Sequence, residues 1–133
     1  MKQLLLLIPK VNGANVPDAD EEEIAMEPVL HAPAGMVIAR EVFGVRDPDI
    51  LAAIRNHTLG NCNMSALEKL IFLADFIEPN RKSFDGLEAV RMLAEEDLTA
   101  AVKLSARLSN EYVVSRGGKI NSRTARMLND END

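Results

Sequence analysis

The chain has one cysteine, no tryptophan, one tyrosine and four phenylalanines in 133 residues. A lone thiol, Cys62, closes no intrachain disulfide, and without a CxxC pair there is no zinc knuckle or dithiol redox motif, so a reducing compartment suits the chain. Cys62 also stands in a polar loop with no base near it in sequence, which argues against a nucleophilic role. A basic excess is missing too: 15 Lys and Arg face 21 Asp and Glu, a net charge of -6. Such a chain repels a phosphate backbone and nucleic acid is not an expected partner, although a small polyphosphate can still bind beside a local cation or metal. Long apolar runs are absent. Leu4–Ile8 is five residues, against the about 20 that span a bilayer, and it lacks the length and cleavage pattern of a signal peptide. It reads as a buried helix or strand fragment, and the chain as a cytoplasmic protein with no membrane partner.

What is present favours helices. Hydrophobic residues make up 47% and charged residues 27%, an ordinary globular balance for one domain, while aromatics are held to 4%. Leu, Ala and Met, which lose little rotamer freedom in a helix, fill the gap. Pro9 to Asp20 is rich in Pro, Gly and Asn and reads as a loop, with Asp18 or Asp20 placed to cap the acidic run Glu21–Glu23. Pro33 predicts a helix start, Met36, Val37, Ala39, Arg40 and Phe43 continue it, and Gly44 ends it. Asp47-Pro48 predicts the next start, with Ile50, Leu51, Ile54 and His57 at helical intervals until Thr58–Asn63 breaks the pattern. Ser65 and Glu68 form a capping box before the most apolar segment, Leu67 to Phe76, the expected centre of the core. Beyond the Asp85-Gly86 turn, helices are expected over Leu87–Ala94, Asp97–Arg116 and about Ser122–Leu128, with Gly117-Gly118 as a stop and a frayed tail from Asn129. Every strong period is 3.6, so the expected class is an all-α bundle.

Three residues stand out chemically. His31 and His57 are the only histidines, each at the edge of a predicted helix, and Asp75 interrupts the apolar run Leu70–Ile77. A carboxylate there calls for an ion-pair partner, a hydrogen bond or a metal. One reading pairs Asp75 with Arg55 or Arg81 and leaves the histidines as capping or core residues. The other brings His31, His57 and Asp75 onto one metal, since two imidazoles and a carboxylate suit Fe, Mn or Zn. Separations of 26 and 18 residues do not form a compact ligand motif. Arg81, in Glu78-Pro79-Asn80-Arg81, is either a fork for a phosphate or a solvated cation at a helix C-terminus.

Ala52–Gly60 (AAIRNHTLG) and Met64–Arg81 (MSALEKLIFLADFIEPNR) closely resemble the YqeK family, bacterial HD-domain hydrolases that cleave diadenosine tetraphosphate symmetrically into two ADP. Leu30–Gly35 looks like the family's preceding histidine segment, and Phe43-Gly44-Val45 with Asp47 fits its helix junction. Weaker similarity extends the match to roughly Ala25–Ala125. The resemblance implies an HD-domain-like helical bundle in which His31, His57 and Asp75 match three metal ligands of a dinuclear centre, usually described as iron. It also implies that Arg81 faces the phosphate chain and that Thr58 and Gly60 line the substrate beside the second histidine. No residue is assigned as catalytic in its own right. The substrate implied is a dinucleoside polyphosphate or related nucleotide.

The chain departs from the family pattern twice. It has no His-Asp dipeptide, and Met1 falls where the segment after that pair belongs, so residues 1–133 are expected to be a single partial domain without the helices that carry the other ligands. Asn121-Ser122 stands where the family has His-Pro. Loss of a bridging aspartate impairs a two-metal clamp, and uncovered apolar surface invites a homodimer. The alternatives to an impaired hydrolase are a non-catalytic nucleotide-binding or dimerising remnant, and a helical interaction domain whose His31, His57 and Asp75 form an ordinary hydrogen-bonded network.

Overall fold

Side-chain caps decide where most helices of this chain begin. In the computed structural model, which describes residues 18–130, Asp20 accepts from the Glu23 amide at 2.9 Å while the Glu23 carboxylate accepts from the Asp20 amide at 3.0 Å. This reciprocal box starts α1 (Glu21–Ala25), which runs into a 3-10 turn over Glu27–Val29. The following helices are α2 (His31–Glu41), α3 (Pro48–Asn56), α4 (Ala66–Ile77), α5 (Leu87–Glu96), α6 (Leu98–Ser115) and α7 (Ser122–Asn129). No strand occurs among the described residues, and the class is all-α. No helix among them is long and apolar enough to cross a membrane. The run Leu4–Ile8, most of the Pro9–Asp20 loop and the last three residues lie outside the described residues.

Most boundaries follow the capping chemistry. Asp47 accepts from the Asp49 amide at 2.9 Å with Pro48 as first residue of α3. Ser65 and Glu68 exchange bonds of 3.1 Å at the head of α4. At the end of α6, Gly117 turns left-handed (φ 79°), and the amides of Gly118 and Gly117 return to the carbonyls of Val113 and Val114, closing two orphan acceptors. One start differs from expectation: α2 begins at His31, so Pro33 is its third residue. Leu30 is already in the right-handed helical region after the 3-10 turn, and a proline within the first turn removes only an amide that has no intrahelical partner.

The chain divides into two compact units, Met1–Thr58 and Leu59–Asp133. In the first, α2 packs on α3. Ala32, Pro33, Ala34, Ile38 and Ala39 are the buried residues of α2, and Ala53 is buried on α3; mostly small side chains let the two backbones approach. In the second, α6 packs against α4, α5 and α7. Its Ala101, Val102 and Ala106 join Leu73 and Phe76 of α4, Leu87 and Val90 of α5, Met127 of α7 and the loop residue Met64 in one core.

The expectation that α4 is the buried centre is not met. α6 holds that place in its unit, while α4 buries Leu73 and Phe76 and leaves Leu70 53% and Ile71 40% exposed. α4 is apolar on nearly every side, but its neighbours α5 and α6 cover only one face.

Gly60 turns the chain between α3 and α4 at φ 74°, and a Cβ there would sit 2.6 Å from the Met127 sulfur and 3.2 Å from a Phe72 ring carbon. Gly60→Ala is expected to destabilise the protein by about 2 kcal/mol or more, from the left-handed backbone and the overpacked core together. A thermal-unfolding midpoint equal to that of the parent chain would show that Met127 yields freely.

Candidate functional site

His31 opens α2 and His57 caps the C-terminus of α3. Each ring is turned by a bond to the backbone three residues before it. His31 Nδ1 lies 2.9 Å from the Pro28 carbonyl, on the 3-10 turn, and His57 Nδ1 lies 2.7 Å from the Ile54 carbonyl, in the last turn of its own helix. A carbonyl oxygen only accepts, so each ring carries a proton on Nδ1, and in the neutral form of either ring the lone pair is on Nε2. Those two Nε2 atoms face one another at 3.1 Å, with ring centroids 4.9 Å apart and planes inclined by 60°. Thr58 completes the group: its hydroxyl is 3.1 Å from His31 Nε2 and donates to it.

Two nitrogen lone pairs aimed at each other repel unless a proton shared between them or a metal ion lies with them. Two imidazole nitrogens each about 2.1 Å from one metal, at angles between square and tetrahedral, are separated by about 3.0–3.4 Å. The observed separation falls in that range, and histidine ligands characteristically donate their other ring N–H to a carbonyl or carboxylate. The pair therefore fits a divalent metal in spacing, in tautomer and in donor type. Among the described residues, no group of three or more His, Cys, Asp or Glu side chains is placed to hold a metal.

A support that sequence reasoning missed lies beside the pair. Glu23 is 1% exposed, and Arg55, two residues before His57, grips its carboxylate with both terminal nitrogens at 2.7 and 2.6 Å. Arg55 also donates to the Asp18 carbonyl at 2.8 Å. The acidic run Glu21–Glu23 had shown only its fit to a helix dipole; no local pattern marks one of its members as the partner of a residue 32 positions on.

The remaining site residues lie in the second unit. Asp75 is exposed on α4, not enclosed as the apolar run suggested. The ion pairs expected for it with Arg55 or Arg81 do not form: Arg55 is bound to Glu23, and Arg81 donates to the Asp75 backbone carbonyl at 3.0 Å. Arg81 is exposed yet held, its guanidinium 5.2 Å from the Phe76 ring and 5.5 Å from the Phe84 ring. Those rings meet edge to face. Gly60 is packed against Met127 and Phe72 as described above.

No family model matches the chain. It is 57% identical over 74 residues to a symmetrical bis(5'-nucleosyl)-tetraphosphatase of Halalkalibacterium halodurans, covering 56% of this chain and 39% of that protein. It is 45% identical over 86 residues to the protein of the same name in Bacillus subtilis, covering 65% of this chain and 46% of the relative. A solved structure from Clostridium acetobutylicum, described as a predicted HD superfamily hydrolase involved in NAD metabolism, superposes with a TM-score of 0.80 at 36% identity. That match covers 90% of this chain and 67% of the other. The chain belongs to the HD superfamily of hydrolases. It spans less than half the length of the curated relatives it matches. HD membership agrees with the all-α class, and it implies a divalent metal, for which His31 and His57 provide two donors of the right kind.

Proposed function

We propose that this chain is part of a metal-dependent hydrolase that cleaves diadenosine tetraphosphate symmetrically to two ADP. The observation that carries the reading is the opposed Nε2 pair of His31 and His57 at 3.1 Å, each ring locked by a backbone carbonyl. Support for the substrate comes from the names of the relatives, symmetrical bis(5'-nucleosyl)-tetraphosphatases at 57% and 45% identity.

In this reading His31 and His57 hold the cation, iron being the metal we propose, and Asp75 is a further ligand of the family's centre. When bound, the metal supplies Lewis acidity toward the phosphate chain. Residues of the chain do the rest. Thr58 donates its hydroxyl to His31 Nε2 or, with a metal there, becomes available to a substrate oxygen. Arg81, held against Phe76 and Phe84, presents its guanidinium to phosphate as a preset fork, and the Gly60 turn shapes the loop after Thr58. We assign residues 1–133 to a single partial HD-type domain in a cytoplasmic protein, with a dinucleoside polyphosphate as partner and a homodimer as its assembly.

A second reading, a nucleotide-binding or dimerising HD module without catalysis, is favoured by one observation: both histidines of these 133 residues are already engaged in the pair. The two readings separate on incubating the chain with diadenosine tetraphosphate and Fe(II), Mn(II) or Co(II). ADP as the single nucleotide product is the expected result. Formation of ATP with AMP would overturn symmetrical cleavage, and bound metal without turnover would establish the non-catalytic module.

A further inference from the structure

We infer that the buried Glu23–Arg55 pair is the positioning device that aims His31 at His57. The inference rests on the reading of these histidines as metal ligands. Arg55 leaves α3 two residues before His57, and both its terminal nitrogens bind the Glu23 carboxylate, at 2.7 and 2.6 Å. The same guanidinium holds the Asp18 carbonyl at 2.8 Å, so α3 grips both α1 and the chain entering it. Glu23 in turn fixes the Asp20 amide. With Glu23 1% and the Arg55 side chain 11% exposed, this is a planar fork shielded from water, not a pair of mobile surface charges.

An unbroken backbone path joins this clamp to His31. The Met26 amide returns to the Glu23 carbonyl at 3.1 Å, and the Val29 amide to the Met26 carbonyl at 3.0 Å, closing the 3-10 turn. The Pro28 carbonyl of that turn receives His31 Nδ1. If the clamp loosens, α1 and the turn shift together, and the Pro28 carbonyl leaves the position that selects the Nδ1–H tautomer. His57 has no such dependence, because Ile54 lies on the same helix. The pair therefore governs one imidazole and not the other, an asymmetry that a purely stabilising ion pair does not produce.

The test uses the full chain with Glu23→Gln and Arg55→Lys. Glu23→Gln keeps the size of the side chain and removes the charge. Arg55→Lys keeps the charge and removes the fork, so a folded protein is available if the other variant is not. Imidazole 15N shifts at a pH where both rings are neutral report each tautomer, and calorimetric titration with Co(II) reports affinity. In the parent chain both histidines are expected as Nδ1–H. In the variants His31 is expected to become a mixture while His57 is unchanged, with Co(II) affinity about tenfold to a hundredfold lower, as for other supports of a metal ligand. The positioning role is overturned if the unfolding midpoint falls while the His31 tautomer and Co(II) affinity hold, or if both histidines change together. A parent chain that binds no Co(II) overturns the metal reading instead, and the tautomer measurement then still decides the positioning role.

Discussion

Replacing Arg55 with methionine is expected to destabilise the protein by about 3–5 kcal/mol, measured as the free energy of urea unfolding. The magnitude follows from what is left behind. Glu23, 1% exposed, would keep its carboxylate in the interior with two strong donors gone, and the Asp18 carbonyl would lose its guanidinium bond. An exposed ion pair such as Arg91–Glu88, with Glu88 74% exposed, is expected to contribute well under 1 kcal/mol on the same measurement. Replacing both partners, as Glu23→Leu with Arg55→Met, should recover most of the loss, because burying two apolar groups avoids stranding a charge. If Arg55→Met shifts unfolding by less than 1 kcal/mol, water reaches Glu23 and the pair is no clamp.

The second large effect concerns the histidines. His31→Ala and His57→Ala are each expected to weaken Co(II) or Fe(II) binding at least a hundredfold in chelator competition, since each removes one of two nitrogens that face each other at 3.1 Å. Thr58→Val removes a hydroxyl beside His31 and leaves both nitrogens in place, so its effect should be several-fold. Undiminished metal binding in the His31→Ala/His57→Ala double variant would place the metal elsewhere and end the argument from the imidazole pair.

Helix starts were readable because each depends on residues within four positions of one another. Asp20 with Glu23, Asp47 with Pro48, and Ser65 with Glu68 all cap as the local pattern requires. Helix α2 starts two residues before the position Pro33 marks because the preceding 3-10 turn already sets Leu30 helical, a context that Pro33 does not report. Partial exposure of α4 is hidden from the sequence for a different reason. Apolar composition says that a helix prefers cover on all sides, not that its neighbours provide it, and Leu70 and Ile71 are left partly uncovered.

The site was legible in pieces. Spacing alone did not bring His31 and His57 together; the likeness of Leu30–Gly35 and Ala52–Gly60 to the HD family did, and the geometry agrees for that pair. Glu23 and Arg55 were invisible as partners because a contact over 32 residues leaves no period in the chain. The carbonyls of Pro28 and Ile54 were invisible because backbone atoms carry no residue identity at all.

Those two carbonyls have a kinetic consequence. A free imidazole exchanges its proton between two nitrogens and spins about its side-chain bonds, so a cation must wait for an encounter with the correct form. Here folding has already removed that choice from both rings. At the metal site proposed for this pair, an arriving ion would meet electron pairs oriented in advance, and the slow part of its capture would become the shedding of its own hydration water.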